Sequence, residues 1–351
     1  MKFLLTLFIF VSIFTLAKSQ NNSTVIRTKF TAPSLLHNSV GEPAEKTISI
    51  YLPPGYHKGK HHYPVIYFLH GYFGNDSLLM NVWLNLKQLM DTAIIKGKIK
   101  PVIVVAPNSE TKLGGSFYTN STVAGNWADY IGKDVVNYID KNYRTIAKKE
   151  ARGLSGHSMG GNGALKLAMQ FPDVFGIVYA MSPAVLNWHS DFTVQNPSFK
   201  IAVNAKNDSE VMSGINSFEK FYSAVFSAMA RAYSSNISAT ALKADFPVKY
   251  INDTAVINND IKAVWEAQFP YNQVDKYQDA LKSLVALKMD WGRNDEFIHI
   301  PFTALEFSKK LESLNIPHFS EEYLGTHSNM QNGFTGRVYT DMIPFFDMYF
   351  K

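Results

Sequence analysis

Gly156-His157-Ser158-Met159-Gly160-Gly161 lies between a short apolar run, Ala151 to Leu154, and a helix-like run, Gly163 to Met169. This is G-x-S-x-G in a strand–turn–helix setting, the context that gives the pattern its meaning. A turn this tight strains the backbone of the serine. The residues two before and two after it must then pass in contact, and only glycine lacks the Cβ that would clash. Ser158 is therefore expected at the carboxyl end of a strand, with its own backbone opening a helix. The free N–H groups there favour negative charge, which suits an oxyanion.

Outward from this stretch, the chain alternates strand and helix patterns. Val65 to Leu69 and Val102 to Ala106 are continuous apolar runs, as expected of parallel strands buried on both faces. Between them Val82 to Ile95 has helical spacing. Trp127 to Tyr143 is a second amphipathic helix, with Ile131, Val135, Tyr138 and Ile139 on one stripe. Gly176 to Ala180 and Leu284 to Met289 read as further buried strands. Ala304 to Leu314 reads as a helix, Phe319 to Tyr323 as a strand and Arg337 to Phe350 as a final helix. Upstream, residues 20–45 are polar and irregular, an entry arm or a first edge strand. Lys46 to Leu52 alternates before Pro53-Pro54-Gly55 stops it, which suits a half-exposed antiparallel strand. The rhythm implies an α/β fold with a doubly wound, mostly parallel sheet.

Residues 187–280 break this rhythm. They are aromatic, asparagine-rich and largely helical in pattern, as in Phe218 to Tyr233 and Ile261 to Phe269. The core is thus expected in two parts, 20–186 and 281–351, with 187–280 inserted after a strand end as a helical cap. Ligands bind at the carboxyl ends of strands in such sheets, so the cap should overhang the site. A separate interaction module is the alternative. Trp188, Tyr222, Phe226, Tyr233, Trp265, Phe269 and Tyr271 could supply aromatic platforms for aryl groups or sugar rings, or simply the apolar core of the cap.

Composition bounds the setting. The first 19 residues, a lysine, an apolar run from Phe3 to Leu16 and Ala17-Lys18-Ser19, read as a secretory signal peptide, which implies a secreted or periplasmic protein. No other stretch is apolar enough to span a bilayer, so no stable membrane insertion is expected after cleavage. The chain has no cysteine, hence no disulfide and no thiol nucleophile. Loss of Lys2 and Lys18 would take the 34 basic residues to 32 against 29 acidic, lowering the net charge from +5 to +3. The lysines are scattered, so no nucleic-acid footprint is present. N-x-S/T sequons occur at Asn21, Asn22, Asn75, Asn120, Asn207, Asn236 and Asn252.

A serine hydroxyl needs a base within reach, and the base needs an orienting acid. Elbow hydrolases supply them in the order Ser, Asp/Glu, His, each on a loop after a strand. The acid should follow the strand ending near Met289, where the chain reads Asp290-Trp291-Gly292-Arg293-Asn294-Asp295-Glu296-Phe297. Asp295 lies in the polar turn beyond the strand, and Glu296 is its rival. Of the ten histidines, His327 in Leu324-Gly325-Thr326-His327-Ser328 agrees in order, spacing and loop context. His37, His57, His61 and His62 lie early. His61-His62 resembles a metal pair, but adjacent side chains point apart and no carboxylate clusters nearby. His157 is expected to pack beneath the elbow. His189, His299 and His318 fall before the cap, before a helix and at a strand start. Two N–H donors complete an oxyanion hole. One comes from Met159, after the nucleophile. The other comes from Tyr72 in His70-Gly71-Tyr72-Phe73-Gly74, directly after a buried strand.

These segments resemble the esterase D-like family of α/β-hydrolases, which includes S-formylglutathione hydrolases, feruloyl and acetyl-xylan esterases, and mycolyltransferases. The resemblance is carried by Tyr51-Leu52-Pro53-Pro54-Gly55-Tyr56, Pro64 to Gly74, Gly156 to Gly161, Met181-Ser182-Pro183, Gly292 to Phe297 and Gly325-Thr326-His327. It implies the α/β-hydrolase fold, a triad of Ser158, Asp295 and His327, and oxyanion donors at Tyr72 and Met159. The departure is the gap of 137 positions between Ser158 and Asp295, which holds the cap. The expected function is a secreted serine carboxylesterase that needs no cofactor or metal. It would act on a small-molecule or polysaccharide-linked ester, with feruloyl and acetyl groups as the candidate acyl parts. An acyltransferase using the same acyl-enzyme and a non-catalytic binding protein on the same fold are the alternatives.

Overall fold

A computed structural model of the chain describes residues 22–239 and 242–351. The expected signal peptide, residues 1–19, lies outside the described residues. Eight strands form one sheet: β1 (Thr24–Thr31), β2 (Glu45–Leu52), β3 (Val65–Leu69), β4 (Ile103–Pro107), β5 (Arg152–His157), β6 (Ile177–Met181), β7 (Ala286–Gly292) and β8 (Phe319–Tyr323). Their order is β1-β2-β4-β3-β5-β6-β7-β8. β1 and β2 pair antiparallel, as do β2 and β4, and every other pairing is parallel.

The continuous apolar runs are explained by two-sided burial. Along β3, Val65, Tyr67 and Leu69 join one core cluster while Ile66 and Phe68 join the other. A strand turns alternate side chains to opposite faces, so a strand covered on both faces cannot alternate in polarity. On one face lie α1 (Leu86–Ile95) and, at the end of the chain, a π-turn Val338–Met342 that continues into a helix Ile343–Tyr349. On the other lie the helical stretch from Trp127 to Asn142, interrupted by a π-turn at Tyr130–Val135, and α2 (Met159–Gln170). The sheet is thus doubly wound and mostly parallel, an α/β-hydrolase architecture.

Two expectations change. The polar segment before residue 45 contains β1, which takes the edge. The second strand is therefore not half-exposed: Ile48 through Leu52 are all buried. Ser49 is tolerated there because its hydroxyl donates to the carboxylate of Asp76 at 2.8 Å. The helix expected from Ala304 begins five residues earlier, as α4 (His299–Ser313), with Pro301 in its first turn where no N–H partner is lost.

Between β6 and β7 the segment 187–280 holds short helices, a hairpin of Val248–Ile251 with Thr254–Ile257, and a 16-residue amphipathic helix, α3 (Phe218–Tyr233). Local chemistry starts its helices. Asn207, Ser217 and Asn258 each accept an N–H from the residue three positions on, satisfying donors that a helix start leaves free. Its aromatic residues mostly face one another. Trp188 stacks on Trp265 with ring centroids 5.8 Å apart, and Phe199 stacks on Phe226 at 3.8 Å. Trp265, Phe226 and Phe269 are fully buried, and they belong to the same apolar cluster as β3 and α2. They are core rather than platforms, and the segment shares the core of the sheet.

Candidate active site

β5 and β3 are neighbours, and β4 lies on the far side of β3. The order in which strands are added therefore reverses at β3, and the loops leaving β3 and β5 open a crevice at their carboxyl ends. Ser158 stands there with φ +59° and ψ −118°, outside the regions an L-residue occupies at ease. The surroundings hold this strain. The Ser158 N–H donates to the Met181 carbonyl at 3.0 Å, and the Ser158 carbonyl accepts from Asn162 at 3.0 Å and Ala184 at 3.2 Å. A Cβ on Gly156 would collide with the Gly160 backbone, and one on Gly160 with the Leu69 carbonyl. The glycines of the elbow thus meet the close approach expected of them. Ser158 Oγ is half-buried and has no hydrogen-bond partner among the described residues.

The loop after β3 comes alongside. A Cβ on Gly71 would sit 3.5 Å from Ser158 Cβ. His70 shapes this turn: its Nδ1–H donates to the Gly71 carbonyl at 2.8 Å, and its Nε2 accepts the Ser109 N–H at 2.8 Å. Burial pushes its pKa down to about 4, consistent with one donor and one acceptor on a neutral ring. Further along, Asp76 ties the loop to the sheet edge. It accepts from Arg27 Nε, Thr47 Oγ1 and Ser49 Oγ, each at 2.8 Å. Burial opposes its charge, yet these donors hold its carboxyl below the ordinary carboxylate range. The backbone N–H groups of Tyr72 and Met159 donate to no other group among the described residues. Both border the space at Ser158, as an oxyanion hole requires.

Asp295 follows the end of β7, and its side chain is fully buried. One carboxylate oxygen accepts the Phe297 N–H at 2.9 Å, and the other lies 2.7 Å from His327 Nδ1. With Nδ1–H donating there, Nε2 is left as the free acceptor on a ring that faces the same cavity as Ser158. Glu296 does a different job. It is exposed, and its Oε2 accepts the backbone N–H of His327 at 2.9 Å. Burial works to raise its pKa, but that N–H and the nearby ring hold it below the ordinary range. The two neighbouring carboxylates thus grip opposite ends of one residue, side chain and backbone.

His157 is not beneath the elbow. Its ring borders the cavity, packs at a tilt against Trp83 and His327, and donates from Nε2 to the His327 carbonyl at 2.7 Å. The reason is the strand. His157 ends β5, and Gly71 beside it has no side chain to fill the space. Burial first, and the nearby His327 second, push its pKa down to about 3, so it adds no positive charge beside the base. His61 and His62 are exposed, on a loop away from Ser158. Among the described residues no three His, Asp or Glu side chains converge as a metal site.

Two cavities meet at Ser158. One, of about 380 Å³, runs past His327, Trp83 and Leu79 to the exposed Leu78 and Val82. The other, of about 30 Å³, is lined by Met159, Phe192, Tyr222 and Val225. Phe221 and Phe297 border both. The sequence reading did not pick out Phe221, Phe297, Trp83 or His299 as site residues. Phe297 carried a signal, its place directly after Asp295-Glu296. Phe221 carried none beyond its position on an amphipathic helix.

A family model described as "Putative esterase" matches residues 42–335. An endo-1,4-beta-xylanase/feruloyl esterase of Xylanibacter ruminicola is 35% identical over 140 residues, which is 37% of this chain but 18% of that protein. The chain therefore spans under a fifth of that relative. Among solved structures, a ferulic acid esterase aligns over 94% of this chain and 99% of its own, with TM-score 0.62 and 18% identity. An S-formylglutathione hydrolase from Agrobacterium tumefaciens aligns over 94% and 97%, with TM-score 0.59 and 15% identity. At these identities the structural likeness speaks for the fold. The family match covers far more than half the chain and includes the elbow, the loop after β3, Asp295 and His327, so the protein belongs to the esterase family of α/β-hydrolases.

Proposed function

We propose that this protein is a secreted serine carboxylesterase that cleaves carboxylic esters through an acyl-enzyme on Ser158. The observation that carries the reading is the His327–Asp295 pair, 2.7 Å apart, facing the cavity that a strained Ser158 enters. Asp295 keeps the proton on Nδ1, so Nε2 takes the Ser158 proton as Oγ attacks the ester carbonyl carbon. The oxygen that becomes negative accepts from the Tyr72 and Met159 N–H groups. His327 Nε2–H then protonates the departing alkoxide, leaving the acyl group on Oγ. Water repeats the sequence and restores the serine. Hydrolysis is favoured over transfer because the larger cavity opens to solvent past Leu78 and Val82, so water reaches the acyl-enzyme.

Secretion rests on the apolar leader with Ala17-Lys18-Ser19. Feruloyl esters on polysaccharide are suggested by the relative named endo-1,4-beta-xylanase/feruloyl esterase. Ser158→Ala should abolish p-nitrophenyl acetate hydrolysis and labelling by a fluorophosphonate probe while leaving the thermal unfolding midpoint within a few degrees. Turnover by that variant at the wild-type rate would refute the assignment.

A further inference from the structure

Acyl transfer at Ser158 needs His327 at two distances, one from Asp295 and one from Ser158. The first is held repeatedly. Asp295 accepts from the His327 ring, and Glu296 accepts the His327 N–H at 2.9 Å. Just upstream, the Asn294 N–H donates to the Gly325 carbonyl at 2.8 Å. All of these partners sit on the loop after β7. They fix His327 against its acid and leave its distance from the nucleophile free. β7 and β5 are not neighbours, because β6 lies between them. The base must therefore be held to the nucleophile by some other contact across the end of β6.

His157 spans that gap. It ends β5, directly before Ser158, and its Nε2–H donates to the His327 carbonyl at 2.7 Å. Among the described residues this is the hydrogen bond that ties His327 to the strand of the nucleophile. The ring is itself fixed. It is buried between the rings of Trp83 and His327, with centroids 4.9 and 4.6 Å away. Trp83 comes from the segment after β3, so three strand ends meet on one imidazole. Beyond His327 the chain is irregular as far as Gly336, and Met330 and Phe334 are exposed. That stretch offers the base little support of its own. Without the donor on His157 the His327 carbonyl would lose its partner in a buried site, and the loop would shift to find another. Because burial keeps the His157 ring neutral, it holds the carbonyl without opposing the charge that His327 must take up.

We infer that His157 is a positioning residue, which sets the distance from Ser158 Oγ to His327 Nε2 by holding the His327 backbone from the position next to the nucleophile. This rests on the esterase reading and adds a residue to it. The role needs a donor at the place of Nε2 rather than a histidine as such. A glutamine carries its own Nε2 to that place. An asparagine ends one atom short, where Nδ1 stands. A phenylalanine fills the volume of the ring with no donor.

The test compares His157→Gln, His157→Asn and His157→Phe with the wild type. It reads kcat and KM for p-nitrophenyl acetate and the rate of Ser158 labelling by a fluorophosphonate, with thermal melting to show that each variant folds. In His157→Asn and His157→Phe, kcat and the labelling rate should fall about 100-fold, the scale of a 1 Å misplacement of reacting groups, while KM changes by less than about threefold. His157→Gln should return to within about fivefold of the wild type. A histidine needed only for packing would lower the melting midpoint without separating Gln from Asn. Should His157→Phe fail to fold, the comparison of Asn with Gln decides alone. Wild-type kcat in folded His157→Phe, or equal kcat in His157→Asn and His157→Gln, would overturn the inference and leave the esterase reading standing. A wild type that neither hydrolyses the ester nor takes the label would overturn both.

Discussion

Replacing Asp295 by Asn tests the assignment of the acid most sharply, because Glu296 beside it offers an internal comparison. In the transition state His327 carries a positive charge, and the buried Asp295 carboxylate stands 2.7 Å from its Nδ1. Two unit charges about 4 Å apart at an effective dielectric near 20 attract by about 4 kcal/mol. Losing that attraction removes about a factor of 10³ in kcat, at about 1.4 kcal/mol per decade. An asparagine amide can also donate to Nδ1, driving the proton to Nε2 and removing the base, so the loss is expected to exceed 10³. Glu296→Gln keeps an acceptor for the His327 backbone N–H and changes charge only at an exposed site. Its effect should stay within about tenfold. The assay is kcat on p-nitrophenyl acetate, with circular dichroism melting to show that both variants fold. A larger loss in Glu296→Gln than in Asp295→Asn would refute the assignment of roles.

Two further variants address the framework. Gly156→Ala places a methyl group on the Gly160 backbone, which cannot turn aside as a side chain could, so destabilisation of about 3 kcal/mol, the upper end for overpacking, is expected in urea unfolding. Lys166 is wholly buried in α2, donates to Thr119 and has no carboxylate partner among the described residues. Burial pushes its pKa down to about 7, so between about pH 7 and 10.5 the unfolded chain holds a proton that the folded one has lost. Stability contributed at this site therefore rises with pH across that window and is lowest at pH 7 and below. Lys166→Met should stabilise the protein by about 1–4 kcal/mol at pH 7 and by less at pH 9.5, read as the difference in melting between variant and wild type at each pH. An equal gain at both values would show that the buried amine stays protonated.

The parts of the site legible in the sequence are those whose geometry is decided within a few residues. The elbow needs glycines on either side of Ser158 because the backbone there passes itself closely, and the collision at Gly156 bears this out. The turn after β3 is tight at Gly74, where a Cβ would lie 3.0 Å from the Gly71 carbonyl oxygen. Buried parallel strands show themselves as unbroken apolar runs, because both their faces are covered. What escaped the reading is set at long range. The ring of His157 reaches a carbonyl 170 residues away, so nothing near the elbow marks its direction. Asp191 accepts the N–H of His299 from 108 residues away, and the lining beside Ser158 is a property of how α3 lies on the core. The same holds for β2. Its alternation promised an exposed face, but a second strand at the edge and the carboxylate of Asp76 used the polar positions from within.

The division of labour in this protein follows from where each constraint originates. The loops after β3, β5, β7 and β8 are held by the sheet, and they carry the groups whose positions the chemistry dictates to within a few tenths of an ångström. The segment 187–280 carries none of those groups, yet its Phe221, Tyr222 and Val225 line space beside Ser158. It could differ widely in another member of the family without disturbing the reacting centre, as long as one end still closed on Ser158. The link from Tyr222 through Asp191 to His299 matters for that reason. It joins the variable segment to a helix of the core, turning a loose covering into a wall with a defined distance from the nucleophile. The candidate reacting groups therefore sit on loops of the sheet and part of the lining on the insertion, and substitutions in the two regions should separate in kinetics. Changes at the loops should lower kcat for every ester alike, whereas changes at Phe221, Tyr222 or Val225 should alter the ranking of esters.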